Sequence, residues 1–425
     1  MKPVLYLHNF RGFKKTYLQL ERVNFFIGEN STGKTSILKL IKILSDPEFW
    51  FKNNSDHLRK EFGYYSEITE EEFFEIGLIS VATESFITLK FIDFQGFAQL
   101  TEIKKIDSGV NVHIWLTARA AEYKFKKGDF GDCFKDSYLN HFKKWIESND
   151  LVDSQKYSDK SLKSVYIPLI LQIHFVISKH FEEKDNRTPF RVTVLVDHLA
   201  WSAPIRTEPK RTYDDYELNF SPEGTHIPYL LKKQLTSRPN KYSKKFEAIL
   251  NRFGKDSGLF QKITVTQYSK SNLSPFDINI VINGKPLKII NVGYGVSQIL
   301  PLIVEIVTRS NGNWFALQQP EIHLHPRGQA AFGDLLYKSA LNDNKGFVVE
   351  THSDYIIDRY RLKLSNHKNA DDQDKISSQV VFFHRTRNGN QLSIIQILPD
   401  GSYSENQPKE FKEFFIKEEL ALLQI

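Results

Sequence analysis

The chain has 425 residues, of which 40% are hydrophobic and 25% are charged, and its formal net charge is +6. The composition is that of an ordinary globular protein. The length predicts two or three lobes. The single cysteine, Cys133, rules out an intrachain disulfide and favours a reducing cytoplasm. The start of the chain shows no export signal, and the longest apolar run, 167–178, is shorter than the ~20 residues of a membrane span. We therefore expect a cytoplasmic protein without a membrane partner.

The first 117 residues predict one half of an α/β core, followed by an antiparallel sheet. Two strand-like runs in "VLYLHNFRGFKKTYLQLERVNFFIG" lead into a glycine loop and then into "SILKLIKIL", whose apolar residues have helical spacing. Short alternating runs follow one another between 73 and 117, which is typical of an antiparallel meander. We assign residues 1–117 to a first domain.

The middle of the chain, 118–262, predicts a helical lobe that contains one strand of the core. Residues 118–186 are polar, aromatic and helix-prone, whereas 190–201 has the pattern of a strand. Residues 228–262 are rich in lysine and predict helix. This segment forms the second predicted domain.

Residues 263–425 predict the other half of the core. "ITVTQYS" and "INIVINGKPLKI" indicate a strand and a hairpin that turns at "NGK". From 291 onward, helices and strands alternate, as in a parallel sheet covered by helices. The predicted fold is therefore α/β, with a central and mostly parallel sheet, an antiparallel β-subdomain and a helical lobe.

Residues 28–35, "GENSTGKT", match the phosphate-loop pattern G-x-x-x-x-G-K-[ST], directly after a strand and at the start of a helix. The glycines let the backbone curl around phosphate groups, and the helix N-terminus adds partial positive charge. Lys34 would reach the β- and γ-phosphates, and the Thr35 hydroxyl would bind Mg²⁺. The residues of this segment that we expect to bind ATP are Gly28, Asn30, Ser31, Gly33, Lys34, Thr35 and Ser36.

Further motifs stand later in the chain. "NVGYGVSQ" at 291–298 is a second glycine-rich turn before an apolar helix, a geometry suited to anions. "FALQQPEIHLHP" at 315–326 begins as a hydrophobic strand and ends in polar residues. "ETHSD" closes the next strand and contains His352. This order of glycine turn, strand end and strand-end histidine is hard to obtain by chance.

Together these motifs resemble those of ABC-type ATPases of the non-transporter branch. This group includes SMC and Rad50 relatives, overcoming-lysogenization-defect proteins and the ATPase subunits of bacterial anti-phage systems. The similarity covers most of the chain and extends to "DHLAWSAPIRTEPKRTY" at 197–213, with its Pro-x-Arg turn.

The resemblance implies a homodimer that closes head to tail around two ATP molecules, with a higher oligomer left open. The signature residues Gly293, Gly295, Ser297 and Gln298 would then act on the nucleotide held by the partner's phosphate loop. His352 matches the switch histidine that senses the γ-phosphate. Asn291 and His323 are weaker candidates, and Gln95 is a guess for the glutamine that contacts Mg²⁺.

The chain departs from this family at the end of the Walker B strand, where Gln318 and Gln319 stand in place of two acids. A carboxamide carries no charge for a cation and cannot accept a proton as a base, although it can orient water. The expected catalytic residues are Gln318, Gln319, Glu321 and His352, with Thr35 and Gln318 at the metal. The explanations that stay open are a slow hydrolase partly compensated by Glu321, an introduced Glu→Gln exchange that traps ATP, and a natural pseudo-ATPase.

The main functional hypothesis is an ATP hydrolase that regulates a separate effector, such as a nuclease or toxin, in anti-phage defence. The alternative is an SMC-like clamp that binds DNA or RNA directly through the lysines of 232–262. A nuclease acting through the acids of "DDQD" at 371–374 is disfavoured, because this tract reads as a solvated loop. A metal site at "HLHP", 323–326, is also disfavoured, since its spacing is loose.

Overall fold

The computed structural model describes residues 1–52, 54–117, 119–148, 151, 154–160, 173, 176, 193–214, 217, 219–269, 271, 274–367 and 376–414. Most of the apolar run at 167–178, the acids of 371–374 and the predicted C-terminal helix beyond 414 lie outside these residues. The chain divides into two compact units, each described by itself. The first comprises Met1–Glu21, Glu29–Leu199 and Phe383–Leu392, and the second Arg22–Gly28, Ala200–Phe382 and Ser393–Ile425.

The described strands, in chain order, are β1 (Val4–His8), β2 (Thr16–Gln19), β3 (Val23–Gly28), β4 (Phe73–Ser80), β5 (Ser85–Phe94), β6 (Phe97–Ile106), β7 (Val110–Leu116), β8 (Ala121–Lys127), β9 (Tyr157–Asp159), β10 (Leu199–Ser202), β11 (Lys262–Gln267), β12 (Phe276–Ile282), β13 (Lys285–Lys288), β14 (Trp314–Gln318), β15 (Gly346–Glu350), β16 (Ser378–Thr386) and β17 (Gly389–Ile397).

The described α-helices are α1 (Lys34–Ser45), α2 (Pro47–Phe51), α3 (Asn54–Phe62), α4 (Tyr65–Ile68), α5 (Tyr138–Glu147), α6 (Ile227–Thr236), α7 (Lys241–Ser257), α8 (Tyr294–Thr308), α9 (Pro326–Asp343), α10 (Asp354–Ser365) and α11 (Lys409–Phe414). None of the helices in the described part of the chain is long and apolar enough to cross a membrane.

The first unit contains an eight-stranded antiparallel sheet in the order β2-β1-β4-β5-β6-β7-β8-β9. Its four central strands are the predicted meander, which is confirmed. Helix α5 packs Phe142 and Trp145 against Phe86 of β5 and closes a small apolar cluster at one end of the sheet.

Strands β8 and β9 extend this sheet into the segment that the sequence predicts as helical, so that prediction is wrong here. The run "AEYKFKK" pairs with β7 over its whole length, from Leu116 opposite Ala121 to Val110 opposite Lys127. Backbone pairing with an existing edge strand outweighs the weak helical preference of the polar side chains, because propensity is a small term beside tertiary context.

The second unit contains the parallel part of a six-stranded sheet in the order β10-β14-β15-β3-β16-β17. Strands β14, β15 and β3 are parallel neighbours, which confirms the predicted α/β class with a parallel centre. A separate antiparallel sheet is formed by β11, β12 and β13, and its predicted hairpin turns at Asn283 and Gly284, both with positive φ.

The strand predicted over 190–201 is shorter than expected. Among the described residues, only Leu199–Ser202 form β10. His198 has φ near 50°, which is not an extended conformation and interrupts the strand just before β10.

The register of the parallel strands determines what stands at their carboxyl ends. Leu317 of β14, Val349 of β15 and Phe25 of β3 share one row and belong to the main apolar core of the second unit. The next row, one residue along, contains Gln318, Glu350 and Phe26, which alternate to the opposite face. The carboxyl ends of β14, β15 and β3 therefore meet at one edge of the sheet. The phosphate loop follows β3 directly in the chain.

Candidate nucleotide site

In the phosphate loop of the first unit, the backbone at position 33 has a conformation that only glycine accommodates. This residue has φ near 94°, and a Cβ there would lie 2.5 Å from Cε2 of Phe13. Lys34 begins α1, is 4% exposed, and donates from Nζ to the Glu29 carbonyl at 2.6 Å. The first turn of α1, with Thr35 and Ser36, contains no acidic side chain that would repel phosphate.

Sequence reasoning missed Arg385, a second cation at this loop. Its guanidinium donates to the Ser31 carbonyl at 2.7 Å, and Ser31 has the left-handed φ of a tight turn. Asn30 and Ser31 are exposed at the tip of the loop. Arg385 stands in β16, far away in the sequence and without a motif around it, so the sequence offers no signal that it contacts the phosphate loop.

In the signature turn of the second unit, Gly293 is exposed and has open space where a side chain would stand. Gly293 caps the N-terminus of α8 with φ near −60°, and a Cβ added there would have no atom within 4 Å. Gly295 differs, because its Cβ would lie 2.8 Å from the His323 carbonyl oxygen. Gly293 thus lies at an accessible helix N-terminus, whereas Gly295 lets the turn pack against its neighbour.

The remaining signature residues are buried within the second unit. Ser297 donates from Oγ to the Tyr294 carbonyl at 2.9 Å, and Ser297 and Gln298 are 7% and 4% exposed. Tyr294 and Asn291 are exposed, and the Tyr294 hydroxyl donates to Glu208 at 2.8 Å.

The end of the Walker B strand is joined to the switch segment. Gln319 has φ near 44° and donates its N–H to the Glu350 carbonyl at 2.8 Å. Glu321 accepts from the Thr351 hydroxyl at 2.8 Å and from the His352 N–H at 2.7 Å, so each carboxylate oxygen has a donor. Burial raises the pKa of Glu321, and these hydrogen bonds oppose the rise. The His352 side chain is exposed.

Arg206 connects the signature helix with the Walker B strand, and sequence reasoning assigned it no role. Its guanidinium donates to the carbonyl of Gln298 and to the carbonyl of Gln318, each at 3.2 Å. Arg206 is 3% exposed, and burial lowers its pKa to about 10 against the opposing charge of Glu321. The Pro-x-Arg turn draws attention to Arg206. The hydrogen-bond partners of Arg206 are backbone carbonyls, however, and a sequence pattern does not identify these.

The weaker candidates have local structural roles or exposed positions. His325 is the N-cap of α9 and accepts from the Arg327 N–H, which accounts for one histidine of "HLHP" without a metal. His323 and Asn291 are exposed. Gln95 is exposed at the turn between β5 and β6, with φ near 53°. Within the described residues, no three His, Cys, Asp or Glu side chains lie close enough to hold a metal ion.

A glycine loop between a parallel strand and a helix defines a nucleotide-binding α/β domain. A family model described as AAA ATPase domain matches residues 1–357. The chain therefore belongs to this ATPase family, which confirms the expected class of protein. A comparison with curated proteins finds no match.

Solved structures are similar at low identity. An SMC head bound to the C-winged helix domain of ScpA has 9% identity and a TM-score of 0.42, covering 93% of this chain and 98% of that one. The SMC head domain from Thermotoga maritima has 12% identity and a TM-score of 0.36, with 93% and 99% covered. The recombination mediator RecF-ATPrS of the RecFOR pathway has 14% identity and a TM-score of 0.32, with 92% and 98% covered.

The residues present fit ATP better than they fit its Mg²⁺. The loop supplies a lysine, a threonine hydroxyl and a helix N-terminus free of acids, all suited to phosphate. Magnesium is held by oxygen ligands that usually include a carboxylate, and Gln318 offers only a neutral amide oxygen. Glu321 has both oxygens occupied by the switch segment. The metal's acid is therefore not among the residues that the motifs predict.

Removal of the Arg206 guanidinium tests whether it holds this part of the site together. We expect Arg206→Met to reduce the free energy of unfolding by about 3 kcal/mol, since it removes the charge that opposes Glu321 and two hydrogen bonds to backbone carbonyls. The double variant Arg206→Met/Glu321→Gln should lose less than the two single variants added together, because the buried charge that Arg206 opposes is then absent. Urea unfolding of the four proteins measures this coupling, and strictly additive losses would contradict it.

Proposed function

We propose that this protein binds ATP and closes as a head-to-tail homodimer, in which the signature turn of one subunit covers the γ-phosphate held by the other. The observation that carries the proposal is Gly293, which starts a 15-residue helix at an exposed position with no atom near its missing side chain. A helix N-terminus of this kind receives an anion, and the protein's own residues leave the space open.

Contacts with neighbouring segments hold the signature turn in place. Gly295 packs against the His323 carbonyl, and Arg206 fixes the Gln298 carbonyl to the end of β14. We assign the direct contact with the partner's nucleotide to Gly293 together with the exposed Asn291 and Tyr294. Ser297 and Gln298, which are buried, shape the turn from within.

Within its own subunit, the phosphate loop would hold the nucleotide, with Lys34 supplying positive charge and Thr35 a hydroxyl ligand for Mg²⁺. When bound, the metal neutralises charge on the phosphate oxygens. The family resemblance of the motifs supports Gln319 as the residue that would orient a water, without accepting its proton, and His352 as the switch histidine. We propose that hydrolysis is slow as a result, so that the ATP-bound state is long-lived.

A long-lived closed dimer suits a regulator better than a fast motor. We propose that opening and closing controls a separate effector chain, a nuclease or toxin, in anti-phage defence. The family resemblance of the motifs supports this role. A stable complex with an effector chain, isolated from the native host, would distinguish it from direct action on nucleic acid.

The dimer is tested by placing a large side chain at Gly293. We expect Gly293→Trp to unfold at the same temperature as the wild type, because the space there is open, but to stay monomeric with ATP and Mg²⁺. Analytical ultracentrifugation with and without ATP measures the association. Asn342→Trp, at an exposed position of α9, is the matched control and should dimerise normally. Dimerisation of Gly293→Trp at wild-type ATP concentrations would refute the assignment.

The slow turnover is tested by restoring an acid. We expect Gln318→Glu to raise the ATPase rate at least about tenfold, since the added carboxylate binds the metal and stabilises charge in the transition state. Phosphate release per chain at saturating ATP measures the effect, with Lys34→Ala as the background. If the glutamine form hydrolyses ATP as fast as the glutamate form, Gln318 does not occupy the Walker B acid position.

A basic surface supports direct binding of nucleic acid as a second candidate function. Where α6 leads into α7, the side chains of Lys233, Arg238, Lys241 and Lys244 are exposed and have no ion pair or hydrogen bond with any other described residue. Tyr242, among them, is 80% exposed. Exposed cations around an exposed ring suit a single strand, which binds by charge and by base stacking.

Charge reversal tests this surface. If single-stranded nucleic acid binds there, Lys241→Glu/Lys244→Glu should weaken binding and lower the slope of log K against log salt by roughly 1.4 for two phosphate contacts. The control Lys52→Glu/Lys135→Glu changes the net charge equally but removes lysines already paired with Glu48 and Asp132. Equal losses in both variants, measured by fluorescence anisotropy, would mean that binding depends only on overall charge.

A further inference from the structure

The hairpin that joins β16 to β17 packs against the turn between β1 and β2, within the first unit. Asn390 donates from Nδ2 to the Arg11 carbonyl at 2.8 Å, and from its backbone N–H to the Gly12 carbonyl at 3.0 Å. A Cβ added at Gly389 would lie 2.3 Å from the Gly12 carbonyl oxygen, so the two backbones are in direct contact. These contacts fix the hairpin against the turn.

The same turn also packs against the phosphate loop. Phe13 lies directly beside Gly33, and its ring makes an edge-to-face contact with Phe383 of β16, with 6.3 Å between the ring centroids. Nδ2 of Asn390 would lie 3.5 Å from a Cβ added at Gly33. The hairpin, the turn and the loop therefore form one packed group of segments in the first unit.

Arg385 connects this hairpin directly to the tip of the phosphate loop. Its guanidinium donates to the Ser31 carbonyl at 2.7 Å, and Ser31 has φ near 61°. A left-handed backbone is unfavourable for any residue with a Cβ, because the Cβ crowds the following carbonyl oxygen. Ser31 is exposed, so burial of its side chain does not enforce this conformation. The hydrogen bond from a charged donor is a contact that can offset its cost.

The conformation of Ser31 matters because it lies in the middle of the loop's curl. The Glu29 carbonyl accepts from the Thr32 hydroxyl at 2.7 Å and from Lys34 Nζ at 2.6 Å, so hydrogen bonds within the loop span Ser31. Arg385 holds Ser31 from outside the loop. A loop that already has its binding conformation loses less conformational freedom when the ligand arrives, and it binds more tightly for that reason.

We propose that Arg385 is a positioning residue of the nucleotide site, whose hydrogen bond holds Ser31 in the left-handed conformation that the phosphate loop uses to bind ATP. This inference rests on the proposed function, because ATP is the ligand of the loop. Arg385 acts through Ser31 and needs no contact with the nucleotide. A residue that adopts the left-handed conformation without cost at position 31 should therefore make Arg385 dispensable.

A second arginine of the hairpin separates this role from a simple effect of charge. Arg387 is exposed, and it has no ion pair or hydrogen bond with any other described residue. It brings the same positive charge to the same hairpin, two residues further along, without a contact to the loop. Arg387→Gln is therefore the matched control for Arg385→Gln.

The test measures the affinity of the full chain for a non-hydrolysable ATP analogue with Mg²⁺ by isothermal titration calorimetry. We expect Arg385→Gln to weaken binding about fivefold, since it removes a hydrogen bond from a charged donor. In the Ser31→Gly background, the same exchange should change the affinity by less than about twofold, because glycine adopts positive φ without cost. The Ser31→Ala background lacks the hydroxyl but keeps a Cβ, so the full loss should remain there. Arg387→Gln should have little effect.

The outcomes separate this inference from the proposed function. Equal losses for Arg385→Gln in all three backgrounds, or an equal loss for Arg387→Gln, would mean that the arginine acts through its charge and would overturn the positioning role. Unchanged affinity in Arg385→Gln would overturn it too and leave the ATPase assignment intact. Absence of nucleotide binding in the wild type would overturn the proposed function itself. Circular dichroism shows whether each variant folds. If Arg385→Gln does not, Arg385→Lys, which keeps the charge without the planar guanidinium, decides the question in the same three backgrounds.

Discussion

The parallel register of β14, β15 and β3 is the constraint on which the site depends. It sets Leu317, Val349 and Phe25 in one apolar row and Gln318, Glu350 and Phe26 in the next. The apolar row is buried in the core, so a shift by one residue would expose it to the opposite face of the sheet. Burial of apolar side chains therefore helps to fix the position of the polar strand ends.

The second requirement is a connection between elements that the sheet does not join. Arg206 is bound to the start of α8 and to the end of β14, and Glu321 is bound to Thr351 and His352. A partner that presses on the signature turn would act on the Walker B end through the buried Arg206 guanidinium. Because that guanidinium binds backbone carbonyls, the connection does not depend on the identity of the side chains at 298 and 318.

The sequence predicts the parts of the site that consist of local patterns. The phosphate loop between β3 and α1, the meander of β4 to β7 and the alternation after 291 follow from periodicity and turn chemistry within short segments. Arg206 and Arg385 could not be predicted, because each depends on a backbone carbonyl more than 25 residues away in the chain. The strands β8 and β9 were missed because pairing with a neighbouring strand, β7 in the case of β8 and β8 in the case of β9, determines their conformation.

The central claim is that two copies of the chain share each nucleotide, one through its phosphate loop and the other through its signature turn. Native mass spectrometry of a mixture of Lys34→Ala and Gly293→Trp, in ATP and Mg²⁺, tests it most directly. Neither variant should dimerise alone, but the mixture should form a heterodimer with one nucleotide, since each subunit supplies the half that the other lacks. A mixture that stays monomeric while the wild type dimerises on ATP would contradict the account.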